Sequence, residues 1–266
     1  MIDAHGSPIL LIPGVQGRWE WMAPAVEALA ESHRVLTCSL EELGDTSVPE
    51  RTFDTWIAGV DALLDRAGAR RVCVTGVSFG GLIAVSYAAA RPGRVSSLVL
   101  VSTPAPRWRD DHPAGAYLRH PRLSLPQFVF GAVSRLRPEV RAAITRWPAR
   151  LAFFIRHFGR ILRFPASPTR MATRVRAWMT TDIVAACRRV TAPTLVITGQ
   201  PGLDRVVPID DSLQYVSLIH GARHAMLEGT GHLGLITRPQ AFAAIVSSFA
   251  REGAAAAPTA AVNKAG

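Results

Sequence analysis

The stretch VCVTGVSFGG, residues 72–81, places one serine among glycines at the end of an apolar run. Its first residues are apolar and largely β-branched, which is typical of a buried strand, whereas the alanine-rich residues 82–90 favour a helix. A sharp turn from strand into helix needs small neighbours, and Gly76 and Gly80 supply them. The pattern Gly-x-Ser-x-Gly therefore predicts that Ser78 protrudes where a strand ends.

A serine hydroxyl at such a turn is a candidate nucleophile. It becomes reactive only when a base takes its proton, and that base must itself be oriented by a third group. The helix that follows directs its N-terminal N–H groups at the turn, which favours developing negative charge. The alternative interpretation of this stretch is a glycine-rich turn that packs closely or binds phosphate.

Length and composition indicate a globular protein with a sizeable core. The chain has 266 residues, of which 48% are hydrophobic and 19% charged. Its three cysteines lie far apart, so neither a zinc site nor a disulfide framework is indicated. Residues 72–90 carry no charge and are long enough to span a bilayer, but their glycines and their strand-like and helix-like halves favour a globular fold. The first residues lack the basic region of a signal peptide, so the expected compartment is the cytoplasm.

Short apolar runs and helical segments alternate along most of the chain. The alternation predicts an α/β fold, with a mostly parallel sheet and helices on both faces. The helical segments include 52–68 and 239–250, whose apolar residues recur at helical spacing. The predicted strands are residues 8–12, 34–40, 71–75, 96–102, 194–198 and 223–228.

Residues 104–190 break this alternation. They hold 17 arginines against four acidic residues, a charge of +13, whereas the full chain carries +10. Arginines there are interleaved with aromatic residues, and we interpret the segment as a helical cap inserted between two strands of the core. The predicted domains are a core of residues 1–103 and 191–252, an Arg- and aromatic-rich cap of residues 104–190, and a disordered tail of residues 253–266.

From about Pro8 to Ala250 the chain resembles the α/β-hydrolase superfamily, which is built on such a serine turn and presents its catalytic groups in the order Ser, acid, His. The segment TLVITGQPGLDRVVP, 194–208, is similar to the family's acid strand and loop, which implies Asp204 as the acid. The segment ARHAMLEGTGHLGLITRPQAF, 222–242, is similar to the last strand, histidine loop and closing helix, which implies His232 as the base.

Rival residues exist for both roles. His224 competes with His232 but falls within a predicted strand. Asp210 and Asp211 compete with Asp204, because the loop before Asp204 is one residue longer than is usual in the family, although PIDDSLQ is more typical of a helix start with acids at its positive end.

The resemblance also implies an oxyanion hole made by the backbone N–H groups of Phe79 and Val15. Val15 lies in the loop LIPGVQG, 11–17, where the family commonly has His-Gly and this chain has Pro13 and Gly14. The hydrogen bonds with which that histidine would brace the loop must therefore come from elsewhere. Gln16 either contacts substrate or braces the loop.

The function implied is a serine hydrolase that cleaves an ester-type bond of a small apolar acyl substrate through an acyl-enzyme, with no metal and no organic cofactor. Serine rather than aspartate at the turn argues against the dehalogenase and epoxide-hydrolase branches. A C–C bond hydrolase, a lactonase and a cofactor-free haloperoxidase on the same residues remain alternatives, as does a non-catalytic small-molecule receptor of the same fold.

The cap is expected to shape the substrate site. In RLAFFIRHFGRILRF, 150–164, the apolar residues recur at helical spacing, so the helix is expected to turn them toward the substrate and its arginines toward solvent. Phe154 and Phe158 are therefore possible substrate-lining residues. No nucleic-acid partner and no transmembrane segment are expected. The basic cap is interpreted as a solvated surface, with an acidic substrate or an anionic membrane surface as alternatives, and the sequence does not determine the oligomeric state.

Overall fold

A computed structural model of the protein describes residues 6–43, 52–108, 118, 120–123 and 125–255. Its sheet has six strands: β1 Gly6–Ile12, β2 His33–Thr37, β3 Val72–Val77, β4 Val95–Val101, β5 Thr194–Thr198 and β6 Arg223–Met226. All six are parallel, and their order in the sheet is β2-β1-β3-β4-β5-β6. This arrangement agrees with the α/β class expected from the sequence.

Helices cover both faces of the sheet. The helices are α1 Ala23–Ala30, α2 Phe53–Arg66, α3 Phe79–Ala90, α4 Leu125–Ala143, α5 Trp147–Arg163, α6 Pro168–Thr180, α7 Ile183–Arg189, α8 Ile209–Leu218, α9 Gly234–Thr237 and α10 Pro239–Ala255. Short 3-10 helices precede α1 at Trp19–Met22 and β4 at Pro92–Arg94. One core cluster joins the sheet to α2, α3, α6, α7 and α8, and the other joins it to α1, α4, α5, α9 and α10.

The strands form where the sequence has its continuous apolar runs. Every residue of β3, β4 and β5 is buried, as expected for strands covered on both faces, whereas the edge strand β6 is largely exposed. The uncharged stretch 72–90 divides into β3 and α3. None of the helices within the described residues is long and apolar enough to cross a membrane.

The cap segment, residues 104–190, enters between β4 and β5 and contains α4 to α7. Its last helix, α7, packs against α3, and Ile183, Ala186 and Cys187 are buried in the same cluster as that helix. The apolar face of α7 therefore joins the core, although residue 190 was the predicted cap boundary.

The C-terminal helix is longer than the sequence analysis predicted. Residues 253–255, assigned to the disordered tail, continue α10, and residues 256–266 lie outside the described part of the chain. Gly253 is buried, and a side chain there would place its Cβ 2.7 Å from the Cβ of Ser97. The missing side chain lets α10 approach β4 closely at this position.

Candidate active site

Ser78 lies between the last residue of β3 and the first residue of α3. Its backbone angles are φ 53° and ψ −125°, and its N–H donates to the carbonyl of Val101 at 2.8 Å. A non-glycine residue in this region carries about 1–3 kcal/mol of strain. A Cβ added at Gly76 would lie 2.6 Å from the Cα of Gly81, and one at Gly80 would lie 2.6 Å from the carbonyl oxygen of Pro13. Close approach of strand, helix and loop therefore requires the glycines that flank this serine.

Phe79 anchors the start of α3 beside Ser78. Its ring is buried and lies 5.4 Å from the ring of Trp56 and 5.9 Å from that of Phe53. Because Phe79 is the first residue of α3, its N–H has no acceptor within the helix. The N–H can therefore donate to an anion held next to Ser78.

The loop after β1 approaches Ser78 from the neighbouring strand. Gly17 N–H donates to the carbonyl of Gly14 at 2.8 Å, which closes a tight turn with Val15 and Gln16 at its centre. A Cβ added at Gly14 would lie 3.3 Å from the Cβ of Ser78 and 3.2 Å from Oε1 of Gln16. The turn is thus adjacent to the serine, and both interpretations of Gln16 stay open.

A buried arginine of the cap segment holds this turn. Arg174 of α6 donates from Nη1 to the carbonyl of Val15 at 2.7 Å and from Nη2 to Oε1 of Glu41 at 2.9 Å. Only 3% of Arg174 is exposed. A brace for this loop is expected from the sequence, but Arg174 could not be predicted as that brace, because it is one of 17 arginines in the cap segment and lies 159 residues from Val15.

Asp204 and His232 form a hydrogen-bonded pair. The loops after β5 and β6 bring them together, with Nδ1 of His232 3.3 Å from Oδ2 of Asp204. The other carboxylate oxygen accepts from the N–H groups of Val206 and Val207 at 3.0 and 2.9 Å. A Cβ added at Gly231 would lie 2.8 Å from the backbone nitrogen of Asp204, so the two loops are in direct contact.

The rival residues occupy other positions. Asp210 and Asp211 both lie in the first turn of α8, as PIDDSLQ predicted, with Asp210 exposed and Asp211 buried. His224 lies on β6, where its Nε2 is 2.8 Å from Oγ1 of Thr198.

The electrostatics of the pair favour its charged forms. The pKa of Asp204 is lowered. Burial acts to raise it, but the charge and hydrogen bond of His232 and the hydrogen bonds from the N–H groups of Val206 and Val207 outweigh burial. Burial acts to lower the pKa of His232, but Asp204 and the charge of Glu139 outweigh it, and the pKa is raised. The environment thus stabilises an imidazolium that a proton transfer to His232 would create.

Glu139 is a further carboxyl group at the site that the sequence analysis did not identify. It is fully buried and accepts a hydrogen bond from the N–H of Leu233, next to His232. The sequence contains only a weak indication of this residue: Glu139 is one of four acidic residues in the cap segment, which also holds 17 arginines.

The two possible substrate-lining residues lie on α5. Phe154 is 47% exposed and Phe158 is 60% exposed, in a stripe of exposed apolar residues that also includes Trp147, Leu151 and Leu162. Phe153, on another face of the helix, is buried in the core. Its ring stacks on that of His157, and the ring of Trp21 lies 6.2 Å from the ring of His157. The helix α5 has apolar residues on two faces, and spacing alone does not predict which of them packs on the core. Substrate contact by Phe154 and Phe158 stays a prediction.

Within the described residues, no group of three or more His, Cys, Asp or Glu side chains is placed to hold a metal ion.

A parallel six-stranded sheet with a strained serine after β3 and an Asp–His pair after β5 and β6 defines an α/β hydrolase. The chain belongs to the alpha/beta hydrolase family, whose sequence model matches residues 5–245, and it is an enzyme of that family.

Named relatives cover almost the whole chain. A 2-hydroxymuconate semialdehyde hydrolase from Pseudomonas sp. (strain CF600) is 29% identical over 95% of this chain and 89% of its own length. A poly(3-hydroxyalkanoate) depolymerase from Ectopseudomonas oleovorans is 24% identical over 93% and 86%. The crystal structure of the enol-lactonase from Burkholderia xenovorans LB400 shares the fold, with a TM-score of 0.73, 22% identity and coverage of 94% and 93%.

Proposed function

We propose that the protein is a serine hydrolase that cleaves an ester-type bond of a small apolar acyl substrate. The observation that carries this proposal is the strained conformation of Ser78 at the same sheet edge as the hydrogen-bonded pair of Asp204 and His232. Strained backbone at an exposed nucleophile position is typical of this family's catalytic turn. Asp204 fixes the orientation of His232 through Nδ1, which leaves Nε2 for the serine.

The mechanism follows from these positions. His232 takes the proton of the Ser78 hydroxyl while its oxygen attacks the acyl carbon, and the N–H groups of Val15 and Phe79 donate to the oxyanion. The tetrahedral intermediate collapses, His232 returns the proton to the leaving group, and an acyl-enzyme remains on Ser78. Water activated by His232 then releases the acid and restores the serine.

The electrostatic arrangement supports this sequence of steps. His232 gains a positive charge in both transition states, and its raised pKa means that the site favours that charge. The lowered pKa of Asp204 keeps its carboxylate ionised beside the imidazole. The relatives' names refer to a semialdehyde and to a polymer. The ester preference is therefore proposed from the site and not taken from a relative.

A covalent fluorophosphonate probe tests the nucleophile. Wild-type protein should label on one residue, and Ser78→Ala should abolish labelling and lower kcat by about 10⁴ or more while the protein stays folded. Ser86 is a matched control, because its hydroxyl is buried and bonds the carbonyl of Leu82, so Ser86→Ala should label normally. A wild-type protein that does not label would indicate a non-catalytic receptor.

Substrate panels test the reaction class. Acyl esters of graded chain length, a lactone series and vinylogous diketones should be offered to the same preparation at equal concentration. We expect the highest kcat/KM among the acyl esters. Turnover of the diketones alone, still abolished by Ser78→Ala, would make the protein a C–C bond hydrolase and would contradict the ester proposal.

A further inference from the structure

Glu139 is a buried carboxyl group that the proposed mechanism does not use. It lies on α4, and none of its surface is exposed. The next residue, Val140, belongs to the same core cluster as Leu235 and Ile236 of α9, so this part of α4 is packed against the helix that follows His232. A carboxyl group is rarely buried unless it has partners, and its neighbours therefore indicate what it does.

One partner of Glu139 is the backbone next to the catalytic base. Its Oε1 accepts a hydrogen bond from the N–H of Leu233 at 2.6 Å. Leu233 directly follows His232 and precedes the first residue of α9. The bond therefore fixes the position of the chain at the point from which the imidazole projects.

The other partner is the imidazole itself, through its charge. The negative charge of Glu139 raises the pKa of His232, in the same direction as Asp204. The pKa of Glu139 is raised in turn, to about 7, chiefly because the carboxyl group is buried, and the negative charge of Asp204 also raises it. The Gly231 and Leu233 amides and the charge of His232 act to lower this pKa. Oε2 of Glu139 is buried without a hydrogen bond in the structure. The Gly231 amide and the charge of His232 are the two largest effects that favour the charged form of this carboxyl group.

The arginines of the same helix differ in exposure. Arg137 and Arg141 are exposed, whereas Arg135, one turn before Glu139, is half-buried. Arg205 on the acid loop and Arg238 beyond α9 are exposed, and no arginine is among the groups whose charge shifts the pKa of Glu139. Solvent screens exposed charges far more than buried ones. Within the described part of the chain, the ionisable groups that act on Glu139 are thus His232 and Asp204.

We propose that Glu139 is a positioning residue for His232, which holds the histidine loop through the Leu233 amide and supplies a second carboxylate charge that stabilises the imidazolium. The inference rests on the proposed function, since it concerns the same histidine. When His232 takes the proton of Ser78, the new positive charge lies near two buried carboxyl groups instead of one. Protonation of Glu139 removes that second charge, so the protonation state of Glu139 in the cap segment affects the pKa of His232 in the core.

The variant Glu139→Gln separates this role from a purely structural one. The amide keeps the shape of the side chain and an oxygen that can accept from Leu233, and it removes the charge while an NH₂ group replaces the second carboxylate oxygen. A structural role predicts an unchanged imidazole in this variant, whereas the proposed role predicts a less basic one. Glu228→Gln is the matched control, because Glu228 is an exposed carboxylate four residues before His232.

The experiment measures the pKa of His232 by NMR titration of its ring protons, assigned by comparison with His232→Gln. We expect Glu139→Gln to lower this pKa by about one unit and Glu228→Gln to leave it unchanged. The acid limb of kcat/KM should move to lower pH by the same amount, and kcat should fall by up to about tenfold with little change in KM. An unchanged His232 pKa in folded Glu139→Gln protein would overturn the proposal.

Two further readouts complete the test. If Glu139→Gln does not fold, the NMR titration of the wild-type protein tests the proposal instead. Coupling between Glu139 and His232 should give the His232 resonance two titration steps. A single step at the ordinary histidine pKa would contradict the proposal. The NMR measurement needs no turnover. A protein that shows the pKa shift but neither labels nor hydrolyses esters would refute the proposed function and leave the positioning role of Glu139 in place.

Discussion

At the scale of single residues, the strain at Ser78 has a consequence for stability. The positive φ of this residue is disfavoured for any side chain with a Cβ but accessible to glycine. Ser78→Gly should therefore unfold with a free energy about 1 kcal/mol higher than Ser78→Ala, although both variants lack the nucleophile.

Urea unfolding of the two Ser78 variants side by side measures this difference. The matched control is Ser86, in the middle of α3, where glycine should be less stable than alanine by about 1 kcal/mol. Equal stability of Ser78→Gly and Ser78→Ala would show that the turn is not strained in solution.

The choice between the rival acids is also a prediction about single residues. Asp204→Asn should lower kcat by about 10⁴, because the amide favours the wrong His232 tautomer, whereas Asp210→Asn should leave kcat within about twofold of wild type. The pH profile gives a second measurement. His232 must be neutral to accept a proton, so activity is lost as the pH falls through its raised pKa, and Asp204→Asn should move this limb to lower pH.

A kcat loss that is larger in Asp210→Asn than in Asp204→Asn would contradict the assignment of the acid. Circular dichroism of both variants should match wild type, since each substitution preserves side-chain volume. A profile in Asp204→Asn with the wild-type acid limb would show that Asp204 does not act on His232.

The candidate residues in local motifs could be predicted from the sequence. Ser78, Asp204 and His232 each follow a strand run that the sequence displays, and the parallel direction of the strands places the three loops at one edge of the sheet. Glu139 and Arg174 could not be predicted in the same way, because their contacts join α4 and α6 to loops 94 and 159 residues away. Nothing in the local sequence distinguishes them from other charged residues of the cap segment.

At the scale of elements, strands were easier to predict than the faces of cap helices. All six predicted strand runs overlap strands of the sheet. In a sheet covered on both sides, both faces of a strand are buried, so a short continuous apolar run is enough to predict it. The helix α5 has apolar residues on two faces, and the structure buries the Phe153 face. Which face packs depends on the partner surface, here Trp21 and the core, and not on the helix alone.

The two faces of α5 predict opposite behaviour for neighbouring phenylalanines. Phe153→Ala should lower the free energy of unfolding by about 3 kcal/mol, because it removes a buried ring. Phe154→Ala should change it by about 0.5 kcal/mol or less, since nearly half of that ring is exposed. Thermal or urea unfolding measures both.

The same pair tests whether the exposed stripe shapes the substrate site. If Phe154 contacts the acyl group, Phe154→Ala should flatten the dependence of kcat/KM on acyl chain length, which otherwise rises by up to about fourfold for each methylene buried. A dependence that is unchanged in Phe154→Ala would remove this residue from the substrate site without affecting the role of Ser78.

At the scale of the whole molecule, the cap segment is hydrogen-bonded to two loops of the candidate active site. Arg174 from α6 donates to the carbonyl of Val15 in the loop after β1, and Glu139 from α4 accepts from the amide of Leu233, next to His232. Both side chains are buried and each bonds the backbone of a core loop. The inserted helices are thus bonded directly to the two loops whose geometry the proposed mechanism requires.

Arg174 offers a way to separate stability from the geometry of the oxyanion loop. Arg174→Met should lower the free energy of unfolding by about 3 kcal/mol, because Glu41 loses its buried partner. The double variant Arg174→Met/Glu41→Leu should recover most of that loss, since it leaves no buried charge behind. Activity should not recover with it, because the carbonyl of Val15 still lacks its donor, and we expect kcat to stay about tenfold below wild type, less than the 10²–10³ lost when an oxyanion donor is removed outright.

Arg170→Met is the matched control, because Arg170 lies 3.7 Å from the same carboxylate of Glu41 and is largely exposed. It should change kcat and stability little. Urea unfolding and kcat, measured on the three variants under one set of conditions, give the comparison. If the double variant regains wild-type kcat together with its stability, Arg174 only neutralises Glu41, and the oxyanion loop keeps its geometry without the cap. If kcat stays low in a stable double variant, the cap segment takes part in catalysis by holding the backbone that binds the oxyanion.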